Sequence, residues 1–154
     1  MGKLFFGLVL LVSSLTANAQ TKNVRLEMTE VPATPTLSQV TVLVLADGTV
    51  ERTSFSSASR VAPVVTVVDY LSANQVEHIN DLVEAARSGK VVKLPTHAMC
   101  FRQPDFSPEL TADNESVFLR SGTICEQQYE NTAPEAVELS QIIENLYTQY
   151  GRLN

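Results

Sequence analysis

Residues 71–89 read LSANQVEHINDLVEAARSG, and both ends of a helix are written into them. Ser72 is a natural N-cap, and Gln75 three residues on completes a capping box. Leu71 and Val76 occupy the hydrophobic-staple positions around the first turn. Gly89 is expected to close the helix in the left-handed conformation. Between these ends Val76, Ile79, Leu82, Val83 and Ala86 recur at three- and four-residue spacing, which leaves Glu77, Asn80, Asp81, Glu84 and Arg87 on the wet side. A helix with a single apolar stripe needs a partner layer, so the flanking segments are read for what can supply it.

Upstream, Val40–Ala46 (VTVLVLA) is too short and too β-branched for a helix and meets Asp47-Gly48, a strong two-residue hairpin signal. Thr49–Phe55 is the return strand, and a two-residue turn sets Leu45 against Val50, Leu43 against Arg52, Val42 against Thr53 and Val40 against Phe55. The outgoing strand is apolar on both faces and belongs centrally; the return strand belongs nearer an edge. Val64–Val68 is a third strand leading into the helix, and Val91-Val92 follows it. Residues 95–114 carry Pro95, Pro104 and Pro108 and read as irregular, with one helical turn available at Ser107-Pro108-Glu109. Ser116–Arg120 then turns at Ser121-Gly122 into Thr123–Cys125 as a second hairpin. Pro134–Tyr150 is a second helix with a capping box from Thr132 and Glu135, a closing Gly151, and a stripe of Leu139, Ile142, Ile143, Leu146, Tyr147 and Tyr150. The expected fold is α+β: a small antiparallel sheet of two hairpins plus one or two further strands, with two helices packed on one face.

The first 19 residues have the n-region, short apolar run and Ala17-x-Ala19 ending of a Sec-type signal peptide. The apolar run is well below the roughly 20 residues that span a bilayer. Residues 20–38 are expected to be a mobile lead-in with an optional strand at Val24–Met28, and 39–154 a single domain. The destination is periplasmic or extracellular. Lys3 is the one charged residue of the signal, so the remainder carries 10 basic against 17 acidic residues, a net charge near −7. Nucleic acid and anionic membrane are therefore poor partners, whereas a basic protein surface is favoured.

Export and a count of two point to a disulfide between Cys100 and Cys125. The 26-residue loop it closes is worth roughly 3.5 kcal/mol in the chain-entropy account. His97 and Cys100 have metal-ligand spacing, but the disulfide consumes the thiol. His78 with Glu77, Asp81 and Glu84 is read as a solvated helix face. No metal and no cofactor is expected. G-x-S-x-G, S-x-x-K, H-E-x-x-H and Gly-rich phosphate loops are absent from the sequence. Asp113 and Glu115 are read as turn residues, and Asn114-Glu115-Ser116 is a glycosylation pattern whose use depends on the host.

These features describe a small exported binding or inhibitory module working by protein surface recognition. Phe101, Arg102, Asp105 and Phe106 in the Pro-containing loop 101–114 are the candidate contacts, because aromatic and Arg side chains carry interface energy and proline limits the entropy lost on docking. Two alternatives stand beside this reading: an exported hydrolase whose carboxylates are dispersed in the sequence, and a structural cell-envelope protein. Two carboxylates about 5–10 Å apart in a cleft would favour the hydrolase.

Overall fold

A computed structural model describes residues 22–34, 38–56, 62–95, 106–123 and 125–151. The signal stretch, His97, Cys100, Phe101, Arg102 and Asp105 lie outside the described residues. The chain forms β1 (Val24–Pro32), β2 (Ser38–Leu45), β3 (Thr49–Ser56), β4 (Val64–Tyr70), α1 (Ala73–Ala86), β5 (Val91–Lys93), β6 (Phe106–Ala112), β7 (Val117–Ser121), β8 (Tyr129–Asn131) and α2 (Pro134–Leu146), which runs into a π-helical turn at Tyr147–Gly151. The fold is α+β, as the periodicities imply, but the sheet is larger than expected. Eight antiparallel strands lie in the order β4-β3-β2-β1-β6-β7-β8-β5.

Helix α1 connects the two edge strands, and α2 packs beside it on the same face. Ile79, Leu82, Val83 and Ala86 of α1 meet Ala136, Leu139 and Ile143 of α2 over Leu26, Val42, Val44, Val50, Leu110 and Leu119 of the sheet, all buried. The α1 capping box forms as read: Ser72 Oγ accepts from the Gln75 backbone N–H, and the Gln75 side chain accepts from Ser72 N–H at 2.9 Å. The α2 box does not form. Ala133 is the N-cap without a side-chain bond, and Thr132 Oγ1 accepts from Lys90 N–H instead. Asn131 takes over that task, as described below.

The first hairpin is shifted by one residue from the expected register. Its loop has three residues, Ala46–Gly48: Gly48 N–H donates to Leu45 O at 2.9 Å, Gly48 adopts φ +87°, and Asp47 Oδ1 accepts from Thr49 N–H. A type I turn followed by a left-handed glycine is the usual three-residue solution. Val44 therefore faces Val50, Leu43 faces Glu51 and Val42 faces Arg52. Because side chains alternate, the shift sends Val42 and Val44, not Leu43 and Leu45, into the core beside Val50.

Two further segments are strands in the middle of the sheet. The optional strand read at Val24–Met28 in the lead-in forms and runs on to Pro32, between β2 and β6. Phe106–Ala112, placed in the proline-containing loop, pairs with β1 on one side and β7 on the other, so Ser107-Pro108-Glu109 is extended and not a helical turn. Pro108 is tolerated for a specific reason. A residue's N–H and C=O point to the same neighbouring strand, and the Pro108 carbonyl takes Gly122 N–H beyond the end of the β7 ladder, so the missing donor faces no β1 acceptor. The hairpin partner of β7 is consequently β6; the chain returns after β7 as β8, six residues later than Thr123–Cys125 would place it.

Gly89 and Gly151 are not left-handed. A Cβ on Gly89 would stand 1.7 Å from Asn131 Oδ1, and one on Gly151 would meet the Tyr147 ring at 2.8 Å. Both glycines are needed for close approach and not for a positive φ.

Candidate binding surfaces

With both helices on one face, alternation places Glu27, Thr29 and Val31 of β1 on the other, together with Thr41 of β2, Glu51 and Thr53 of β3, and Glu109 and Thr111 of β6. Pairing aligns them in rows across the strands. One row runs Val67, Glu51, Leu43, Glu27, Thr111, Phe118, and the next runs Val65, Thr53, Thr41, Thr29, Glu109. This helix-free face is polar at its centre and apolar toward the β4 edge.

A depression of about 200 Å³ lies at its centre, lined by Glu27, Thr29, Val31, Gln39, Glu109, Thr111 and Glu115. Glu27 is opposite Thr111 and Thr29 opposite Glu109, so the two glutamates are diagonal cross-strand neighbours, with backbones about 7–8 Å apart. Thr29 Oγ1 donates to Glu27 Oε1 at 3.1 Å and shares a 2.8 Å bond with Thr41 Oγ1. Burial pushes the Glu27 carboxyl above its usual range; the Thr29 hydroxyl opposes this, and the charges of Glu115 and Glu109 add to it. Its ionised form is thus less favourable in the folded protein than in the unfolded chain. Stability is lost as pH rises through the folded value.

Glu115 reaches the depression from the turn between β6 and β7, where Asp113, Asn114 and Glu115 all have positive φ, 49°, 52° and 66°. Three successive left-handed residues are costly without glycine, and side chains hold the turn. Arg25 Nη1 donates to Asp113 Oδ1 at 2.9 Å, Arg87 pairs with Asp113 Oδ2, Ser116 Oγ donates to the same oxygen at 3.0 Å, and Asn114 Oδ1 accepts from Val24 N–H at 2.8 Å. The Arg87 bond is the main cause that holds the Asp113 carboxyl below its usual range. Asp113 is therefore a structural clamp between α1, β1 and the turn, whereas Glu115 is left for the depression.

The β4 edge has a different chemistry. Val64, Val65, Val67 and Tyr70 are 55, 48, 46 and 72% exposed, and among the described residues β4 pairs only with β3. Its C-terminal end is tied down: Tyr150 Oη donates to Asp69 Oδ2 at 2.6 Å, which, with the Tyr70 N–H, keeps the Asp69 carboxyl below its usual range. The run Val64–Val68 contains no charge and no proline. Natural proteins ordinarily protect such an edge with one or the other.

His78, read as part of a solvated helix face, bonds through Nε2 to Glu138 Oε1 of α2 at 2.8 Å, with both side chains about half exposed. Among the described residues no group of three or more His, Cys, Asp or Glu is placed to hold a metal ion. Of the candidate contacts, Phe106 opens β6 opposite Pro32 and is half-buried. Cys125 follows β7 in a turn, its N–H donating to Thr123 Oγ1. The depression was hidden in the sequence because Glu27, Glu109 and Glu115 are 82 and 6 residues apart in a chain where β1 and β6 become neighbours only through the sheet. No protein-family model matches the chain, and no curated protein or solved structure matches it significantly.

Proposed function

We propose that the chain is a small binding or inhibitory module, exported through its N-terminal signal to the periplasm or cell exterior, and that it recognises an extended segment of another exported protein. The observation that carries this reading is the β4 edge, a seven-residue strand with exposed valines that pairs on one side only among the described residues. Strand addition supplies backbone hydrogen bonds to an incoming segment, and the valines supply apolar contact. The acidic balance of the chain favours a basic segment. Phe101, Arg102, Asp105 and Phe106 remain proposed contacts, and of these Phe106 opens β6.

The expected outcome is that wild-type protein captures a partner from the exported fraction and that Val65→Lys/Val67→Lys does not, while its melting temperature is unchanged. Both positions are about half exposed, so the lysines cost the fold little. Capture by the lysine variant equal to wild type removes β4 from the reading, and absence of any captured partner removes the reading itself.

A second reading is favoured by one observation. Glu27, with its raised carboxyl, stands diagonal to Glu109 in a depression, an arrangement compatible with acid and base roles in an exported hydrolase. Turnover of a panel of aryl glycosides and esters, lost in Glu27→Gln, would select it over the first.

The Cys100–Cys125 disulfide belongs to the same proposal, since it needs an oxidising destination. Thiol titration of denatured, unreduced protein is expected to find no reactive thiol; two per chain would refute both the bond and the compartment inferred from it.

A further inference from the structure

We propose that the depression on the helix-free face receives a guanidinium group, an arginine side chain presented by the partner. The inference rests on the binding reading and specifies the partner's chemistry. Glu27, Glu109 and Glu115 converge there, and among the described residues none of the three joins an ion pair. Elsewhere on the protein several carboxylates are neutralised, Glu51 by Lys22, Asp113 by Arg25 and Arg87, and Glu144 by Arg120.

A second, independent feature points the same way. Thr111 is 8% exposed and lines the depression, and no hydrogen bond engages its hydroxyl among the described residues. The hydroxyl oxygen is open to solvent in the depression, so a donor entering there can reach it without disturbing an existing bond. Thr29, also 8% exposed, has already spent its hydroxyl on Glu27 and Thr41. The ligand must therefore donate to Thr111 and to at least two carboxylates at once.

A guanidinium does this. It has five N–H donors in a planar fork, it bridges carboxylates in a bidentate manner, and it sheds water more readily than an ammonium. Neutralisation of the cluster also relieves the unfavourable ionisation of Glu27. A neutral sugar would leave that repulsion in place. The volume of about 200 Å³ admits the guanidinium and part of its stem while excluding a larger folded surface.

N-acetyl-arginine amide is the probe and its citrulline counterpart, of the same shape without the charge, is the control. Titration followed by ¹H–¹⁵N NMR is expected to give saturable shifts at Glu27, Thr29, Thr111 and Glu115 with the arginine compound. Glu109→Gln should weaken binding about tenfold, the loss of one charge-assisted hydrogen bond. Glu27→Gln should weaken it likewise yet melt no lower than wild type at neutral pH, which separates lost binding from lost folding. Equal binding of the citrulline compound, shifts spread evenly over the acidic surface, or undiminished binding by Glu109→Gln would each overturn the proposal. Saturable shifts with a neutral monosaccharide in place of the arginine compound would overturn it in favour of the hydrolase. Val65→Lys/Val67→Lys should keep the arginine response, so failure at the β4 edge and failure at the depression are told apart.

Discussion

Replacing Asn131 by Ala is expected to destabilise the protein by about 3–5 kcal/mol, measured as the fall in unfolding free energy from denaturant titration. Asn131 is the last residue of β8 and is only 4% exposed. Its Nδ2 donates to Ala86 O at the end of α1, at 3.1 Å, and to Phe118 O in β7, at 2.9 Å; its Oδ1 accepts from Ala133 N–H at the start of α2, at 3.0 Å. One amide thereby terminates one helix, begins the other and fastens both to the sheet. Truncation strands the Phe118 carbonyl and the Ala133 N–H, each costing roughly 1–3 kcal/mol where water does not reach, and takes one of two donors from the Ala86 carbonyl, which keeps the Gly89 N–H at 3.1 Å. Asp in place of Asn should recover the cap to Ala133 but set a carboxylate oxygen against two carbonyls, so it should rank below Ala or equal to it. A loss under about 1 kcal/mol for Ala would show that water replaces the amide and that the junction is not dry.

Leu82→Ala is expected to cost about 2–5 kcal/mol, and Glu84→Ala less than about 0.5 kcal/mol. Leu82 is 7% exposed in the layer between α1 and its neighbours, so its removal leaves a cavity bounded by side chains that cannot all move in. Glu84 is on the opposite side, and among the described residues its partner is Arg87 at 3.1 Å, an exposed pair of the kind that contributes little. The same denaturant titration reads both variants. Comparable losses would mean that the helix is rotated about its axis relative to the layer described.

Some of the architecture was legible because its causes are local. The α1 capping box and stripe and the α2 stripe depend on contacts three or four residues apart, which periodicity records directly. The outgoing strand of the first hairpin was placed centrally for a similar reason, since apolar residues on both faces have no other home. The register was misread because Asp-Gly serves two-residue and three-residue loops alike. The choice between them is made by where Gly48 sits: its N–H bonds Leu45, its carbonyl takes Leu71 N–H, and a Cβ there would strike Leu71 O at 2.8 Å. The connection from β4 into α1 selects the turn.

The candidate site was less legible. The loop placed at 101–114 proved to contain a strand from Phe106 onward, since a proline three residues in reads as a break unless the neighbour of its missing N–H is known. That stretch nonetheless supplies Glu109 and Thr111 of the depression, facing outward between Leu110 and Ala112, which face the core. The pairing of β1 with β6 that completes the depression joins positions more than 70 residues apart.

By itself, then, the sequence determined the α+β class, the capped start of α1, the buried faces of two helices and the acidic balance, all of which follow from residue type and short-range spacing. Only the tertiary structure decided that Val24–Pro32 and Phe106–Ala112 lie side by side in mid-sheet, that Asn131 and not Thr132 governs the start of α2, and that three glutamates share one depression. The physical reason is the same in each case. A strand acquires its hydrogen-bond partners, and a polar side chain its neighbours, from chain segments that sequence order leaves far apart, and the energy that selects among them is collected only when the sheet closes around its core.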